Sequence, residues 1–410
     1  MYNPQPPLLD IQDLSVHLRT ARGTHTVLDR VSLQLHAGHT LGLVGESGCG
    51  KSVTAMAVMR LLPRAQTIYA GGRILFDGQD LLAQSEKTMR HLRGSQIAMI
   101  FQEPMTSLNP VLTIGFQIAE TLRFHRAIGQ AQAEAEALRI LDTVRIPAAR
   151  TRFNEYPHRF SGGMRQRVMI AMALACRPKL LICDEPTTAL DVTIQAQILA
   201  LLDQLQAEMG MALLFITHDL NLVRRFTHRV GVMERGKLVE IGDTATVFGN
   251  PQHAYTRKLL ASRPERVVQA LPADAPTLLA GTDVGVDFTI SQGWFGKRVF
   301  EAVRHATLQL KRGETLGIVG ESGSGKTTLG MALLALQGLS SGSVSLRGER
   351  IDDADRKHLR AMRRRMQVVF QDPFASLSPR MTIGQIVGEG LALHRADLDK
   401  TARDKLVLDM

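Results

Sequence analysis

Leu41-Gly42-Leu43-Val44-Gly45-Glu46-Ser47-Gly48-Cys49-Gly50-Lys51-Ser52 is a short apolar run followed by eight residues that fit G-x-x-x-x-G-K-[ST]. The apolar run reads as a strand, and the apolar residues after Ser52 read as a helix. A loop of this kind lets bare backbone N–H groups close around phosphate oxygens, with a helix N-terminus behind them. Gly45, Ser47, Gly48 and Gly50 shape or line the cradle, Lys51 reaches the β- and γ-phosphates, and the Ser52 hydroxyl suits Mg²⁺. The alternative is a glycine-rich turn that binds nothing. A second full match removes it: Leu316-Gly317-Ile318-Val319-Gly320-Glu321-Ser322-Gly323-Ser324-Gly325-Lys326-Thr327 repeats the pattern, with the two lysines 275 residues apart (326 − 51).

The repeat extends beyond the loops. Ile97-Ala98-Met99-Ile100-Phe101-Gln102-Glu103-Pro104 parallels Met366-Gln367-Val368-Val369-Phe370-Gln371-Asp372-Pro373, and Ser107-Leu108-Asn109-Pro110 parallels Ser376-Leu377-Ser378-Pro379. An apolar strand that ends at Gln-acid-Pro is passing into a loop. A glutamine there is ordinarily a strand end facing water; paired at a similar distance from two phosphate loops, Gln102 and Gln371 read as nucleotide-sensing residues. The first half carries more. Ser161-Gly162-Gly163-Met164-Arg165-Gln166 opens an apolar helix, Leu180-Leu181-Ile182-Cys183 runs into Asp184-Glu185, and Leu213-Leu214-Phe215-Ile216-Thr217 ends at His218. Asp184, at a strand end, can hold Mg²⁺; Glu185 can orient an attacking water; His218 can reach a γ-phosphate.

This order of motifs resembles the ATP-binding-cassette ATPases over residues 8 to 400. Ser161 to Gln166 is similar to that family's signature sequence, Asp184-Glu185 to its Walker B pair, Ala189-Leu190-Asp191 to its D-loop and His218 to its switch histidine. Met164 and Phe160 depart from the Gln and Leu of many relatives. The resemblance implies an α/β fold of P-loop NTPase cassettes, two in tandem. Each would have a RecA-like core sheet, a helical subdomain and an antiparallel β subdomain. ATP and Mg²⁺ are the implied cofactors. Gly45, Ser47, Gly48, Gly50, Lys51 and Ser52 would bind one nucleotide; Gly320, Ser322, Gly323, Gly325, Lys326 and Thr327 would bind the other. Ser161, Gly162 and Gly163 would close over ATP held by an opposing cassette. Ser52, Gln102, Asp184, Thr327 and Gln371 would serve the metal, and Glu185, His218 and Gln102 the chemistry. An aromatic ring that usually stacks on adenine is replaced by Leu18, beside His17, in the first half, and Phe288 stands there in the second.

Composition sets outer bounds. The 410 residues allow two or three domains, 44% apolar and 21% charged being an ordinary balance. No stretch approaches the roughly 18 apolar residues of a membrane span, and the first residues lack the pattern of a secretory signal. The net charge of +10 is spread along the chain, and the 5% aromatic content does not interleave with it, so nucleic acid is not an expected partner. The three cysteines, Cys49, Cys176 and Cys183, have no metal-type spacing.

The first cassette is expected over residues 1–260, a Pro/Ala-rich linker over 261–281 and the second cassette over 282–410. Ser161 follows Gln102 by 59 residues (161 − 102), and the same step from Gln371 passes Met410. The second cassette is therefore expected to be incomplete, stopping before its signature, Walker B acids and switch histidine. Pro251 to Leu260 resembles the tail of the dipeptide, oligopeptide, nickel and glutathione importer ATPases. That likeness implies a peripheral protein on the cytoplasmic face of the membrane, powering import of peptides or similar solutes. Its partners would be two permease subunits, an extracytoplasmic binding protein and another cassette, in cis or in trans. Residues 103 to 118, including Leu108, are the expected permease contact. The rival readings are a cassette ATPase acting on ribosomes or DNA, and a fragment that binds ATP without turnover.

Overall fold

A computed structural model describes the chain except residues 1–5, 22, 102–106, 188–191, 263–269, 293–295, 322, 372–375 and 396. Gln102, Ser322 and the D-loop residues Ala189, Leu190 and Asp191 lie outside the described residues. The chain divides into two compact units, Met1–Arg266 and Val267–Met410.

In the first unit the strands are β1 (Leu9–Thr20), β2 (Gly23–Leu35), β3 (Thr40–Val44), β4 (Thr67–Phe76), β5 (Gln79–Asp80), β6 (Ile97–Ile100), β7 (Leu180–Asp184), β8 (Ala212–Ile216), β9 (Arg229–Glu234) and β10 (Lys237–Asp243). They form an antiparallel sheet in the order β2-β1-β4-β5 and a six-stranded sheet in the order β10-β9-β3-β8-β7-β6. Strands β9, β3, β8, β7 and β6 run parallel to one another. TLGLV, IAMI, LLICD and ALLFI are buried at every residue, as strands covered on both faces must be.

Alternate residues of these strands enter different cores, the period-2 consequence of the pleat. Leu41, Leu43, Ile97, Met99, Leu180, Ile182, Leu214 and Ile216 join the antiparallel sheet and helix α1 (Lys51–Met59) in one cluster. Ala98, Ile100, Leu181, Cys183, Leu213 and Phe215 point the other way, into a helical cluster. That cluster is built by α2 (Ile114–Arg126), α3 (Gln130–Thr143), α4 (Gly162–Leu174) and α5 (Val192–Met209). Their apolar residues recur at helical spacing, as in Ile114/Ile118/Leu122 and Ala133/Ala137/Leu141. Phe160 and Met164, the two departures in the signature, pack into this cluster, with the Arg152 guanidinium over the Phe160 ring.

The second unit repeats the antiparallel part. Strands β11 (Thr277–Gln292), β12 (Gly296–Lys311), β13 (Ser341–Leu346) and β14 (Glu349–Arg350) pair in the order β12-β11-β13-β14, and helix α7 (Lys326–Leu333) packs on them. Residues 277–281, read from their neighbouring prolines as linker, are the first turn of register in β11. The core sheet expected here is a correction. Residues 316–319 and 366–370, apolar like β3 and β6, form no strand, and Val319 and Val369 are 93% and 97% exposed. In the first unit β3 pairs with β8 and β9, and β6 pairs with β7. Those partners come from residues 180–234, whose counterparts do not occur among residues 267–410. Hydrogen exchange should report the contrast: amides of Leu41 to Val44 should exchange at least about a thousandfold more slowly than those of Leu316 to Val319. Equal rates would contradict the difference in pairing.

Candidate functional site

The six-stranded sheet brings the phosphate loop, Asp184, Glu185 and His218 to one edge, since each lies at or just past the carboxyl end of a parallel strand, whereas Ser161 to Gly163 open helix α4. Ligands in such sheets bind at that edge. Gly45 leaves β3, Asp184 ends β7, and His218 follows β8 by two residues.

The loop after β3 depends on its glycines. Gly45 has φ 149°, and a Cβ there would lie 2.2 Å from the Met233 carbonyl oxygen. Gly50 has φ 108°, and a Cβ there would meet Leu28 at 2.8 Å. No side chain caps α1 at Gly50, so its first N–H groups face the loop. The Lys51 ammonium, nearly buried, donates to the Gly45 oxygen at 2.8 Å and the Glu46 oxygen at 2.9 Å. The second loop does the same with no core sheet behind it: Lys326 donates to the Gly320 oxygen at 2.7 Å and the Glu321 oxygen at 2.6 Å. Gly323 and Gly325 take positive φ there too.

The Ser52 hydroxyl donates to Asp184 Oδ1 at 2.9 Å. Burial raises the Asp184 pKa, opposed by the Ser52 bond; Glu185 pushes the same way as burial and Lys51 against it. A desolvated carboxylate beside a hydroxyl is a pair of hard oxygen donors, and Mg²⁺ takes few protein ligands of this type. Glu185 adopts φ 49°, the left-handed region that an L residue enters only at a cost. Its N–H donates to the Ile216 oxygen at 2.9 Å, and its Oε1 lies 3.1 Å from Nδ1 of His218. The adjacent acids thus diverge, Asp184 toward Ser52 and Glu185 toward His218.

Ser161 caps α4, accepting from the Met164 N–H at 3.4 Å, with Ser161 and Gly162 exposed at the helix start. Gly163 is buried, and a Cβ there would strike Ile194 at 2.6 Å. In the second unit Thr327 and Gln371 are both exposed. A cleft of about 450 Å³ lies at the second loop, lined by Phe300, Glu301, Ile318, Gly323, Gly325 and Lys326. Phe300, the cross-strand partner of Phe288, is the aromatic ring in that lining; the sequence offered no periodic signal for it. At the first site Leu18 pairs with His25 across the strands, while His17 lies within hydrogen-bond distance of Thr26. Leu108, expected at the permease contact, is a correction: it is buried in the helical cluster, and among the described residues of that stretch the exposed large apolar ones are Val111 and Phe116.

The sequence profile of the family described as ABC transporter matches residues 28–188 and 303–408. The chain belongs to the ABC transporter family. This ABC protein is an ATPase, of a family that binds ATP. It is 51% identical over 98% of its length to the peptidoglycan transport ATP-binding protein YejF of Agrobacterium fabrum, covering 74% of that protein. It is 45% identical over 95% of its length to the glutathione import ATP-binding protein GsiA of Pectobacterium atrosepticum, covering 68% of it. Among solved structures, a dimeric ATP-binding cassette in a post-hydrolysis state with ADP and phosphate superimposes with a TM-score of 0.52. The two are 26% identical, over 58% of this chain and 98% of that one.

Asp184 offers a test of the site's electrostatics. Folding raises its pKa, so the folded state binds the proton more tightly than the unfolded chain does. The resulting loss of stability is complete above the folded pKa and vanishes near the ordinary value of 3.8. Asp184→Asn should therefore raise the unfolding temperature of nucleotide-free protein at pH 7, with the gain disappearing toward pH 4. A variant less stable at pH 7 would show that the carboxylate is stabilising.

Proposed function

We propose that this chain is the ATP-hydrolysing subunit that powers import of peptides or similar small solutes through a membrane permease. The observation that carries the reading is the divergence of Asp184 and Glu185 at the mouth of one P-loop, one acid on Ser52 and the other beside His218. Import of peptide-like solutes is supported by the names of YejF and GsiA.

Roles follow from placement. Lys51 neutralises the β- and γ-phosphates through charge-assisted hydrogen bonds. Ser52 and Asp184 would hold Mg²⁺, which would supply positive charge to the phosphates. Gln102 senses the bound nucleotide. Glu185 orients the attacking water and accepts its proton, and His218 holds Glu185 and reaches the γ-phosphate. Ser161, Gly162 and Gly163 present a hydroxyl and helix N-terminal N–H groups to ATP held on another cassette, closing it away from water, where preorganised charge is most effective. Gly320 to Thr327, with Gln371, form a second ATP and Mg²⁺ site in residues 282–410.

Two permease subunits and an extracytoplasmic binding protein complete the transporter, with Val111 and Phe116 on the permease side and the chain peripheral at the cytoplasmic face. Among the described residues no helix is long and apolar enough to cross a membrane.

Two substitutions separate binding from chemistry. Lys51→Ala should abolish ATP binding at the first site, read by nucleotide titration. Glu185→Gln keeps the shape and loses the base, so affinity should hold while single-turnover ADP formation slows by orders of magnitude. A parallel loss of binding and turnover in Glu185→Gln would make that residue structural.

A further inference from the structure

Helix α6 (Ala254–Ala261), beyond the last strand of the first unit, is tied to the phosphate loop by one side chain. The Tyr255 oxygen accepts from the Glu46 N–H at 3.2 Å. That N–H belongs to the Gly45–Glu46 peptide, and the oxygen of the same peptide accepts from Lys51 at 2.8 Å. One peptide plane therefore carries Tyr255 on its N–H and the Lys51 ammonium on its C=O. Gly45 cannot relax by gaining a side chain, because Met233 closes that space.

The tyrosine is itself held in place. Its ring is buried with Val44, the last residue before the loop, and with Val230, Val232 and Val247. The turn leading into α6 is clamped by Glu240, whose two oxygens accept from the Gln252 N–H at 2.8 Å and the His253 N–H at 3.0 Å. His253 then accepts the Tyr255 N–H at 3.2 Å. Three consecutive polar links thus lead from β10 through α6 to the loop, and each fixes a backbone group rather than a mobile side chain.

We propose that Tyr255 is a positioning residue for the first phosphate-binding loop, its hydroxyl setting the Gly45–Glu46 peptide and through it Lys51, so that helix α6 tunes ATP affinity at that site alone. The proposal rests on the reading of this loop as an ATP site. The second loop has the same lysine bonds, to Gly320 and Glu321, and its N–H at Glu321 has no tyrosine partner among the described residues. It serves as an internal control.

The test uses the full chain and Mg²⁺ with a fluorescent ATP analogue. First-site affinity is read in a Lys326→Ala background and second-site affinity in a Lys51→Ala background. Tyr255→Phe removes one hydrogen bond and should weaken first-site binding about three- to tenfold. The second site and the nucleotide-free unfolding temperature should not change. Glu240→Ala, which frees the turn before α6, should give a similar loss that does not add to that of Tyr255→Phe. Unchanged first-site affinity in Tyr255→Phe, with Lys51→Ala still abolishing it, overturns the proposal and leaves the ATP site standing. Equal weakening of both sites with a lowered unfolding temperature also overturns it, making Tyr255 a packing residue. If Lys51→Ala leaves first-site affinity intact, the ATP-site reading fails and the proposal falls with it.

Discussion

A parallel strand in this protein exists only through neighbours that arrive from far along the chain. Strand β3 stands between β8 and β9, and β6 stands beside β7, so the sheet that carries the site closes only when residues 40–44, 97–100 and 180–234 meet. Burial of apolar side chains on both faces drives that assembly. In the second unit the same residue pattern at 316–319 and 366–370 forms no strand, and Val319 and Val369 stand in solvent. The candidate site of the first unit depends on that closure, because it places Asp184 and His218 near a loop more than a hundred residues earlier.

The phosphate loop is different in kind. Both copies fold the lysine onto the same two carbonyls, one with a core sheet behind it and one without. Its common outline follows from local glycine conformations and the start of a helix, which are short-range properties, and the first copy adds a long-range bond from the Glu46 N–H to Tyr255. A binding element of this sort is separable from the catalytic machinery that must be brought to it.

That machinery is assembled against stability. Asp184 is a carboxylate kept from water, with its proton affinity raised, and Glu185 sits in a backbone region that disfavours its side chain. Such costs persist where the surrounding structure holds them and cluster where chemistry is done. The packed strands β7 and β8 hold them here. The Glu185 N–H on the Ile216 oxygen is the bond that fixes the strained residue between the two strand ends.

Much of the candidate site was legible in the order of residues, because its residues lie in short contiguous motifs. Gly45 to Ser52, Ser161 to Gly163, Asp184-Glu185 and His218 could each be read from residue type and spacing, and so could the repeat of the loop at Gly320. The burial of Leu108 was not legible, since an apolar residue in a loop reads alike as contact or core until the helical cluster is assembled. Nor were Tyr255 on the Glu46 N–H and Phe300 opposite Phe288, which are contacts between residues distant in sequence or set by strand register. The sequence alone also promised strands at residues 316–319 and 366–370. Apolar pattern determines what a segment can become; whether it becomes a strand was decided by tertiary structure, because a strand's hydrogen bonds are made to other parts of the chain.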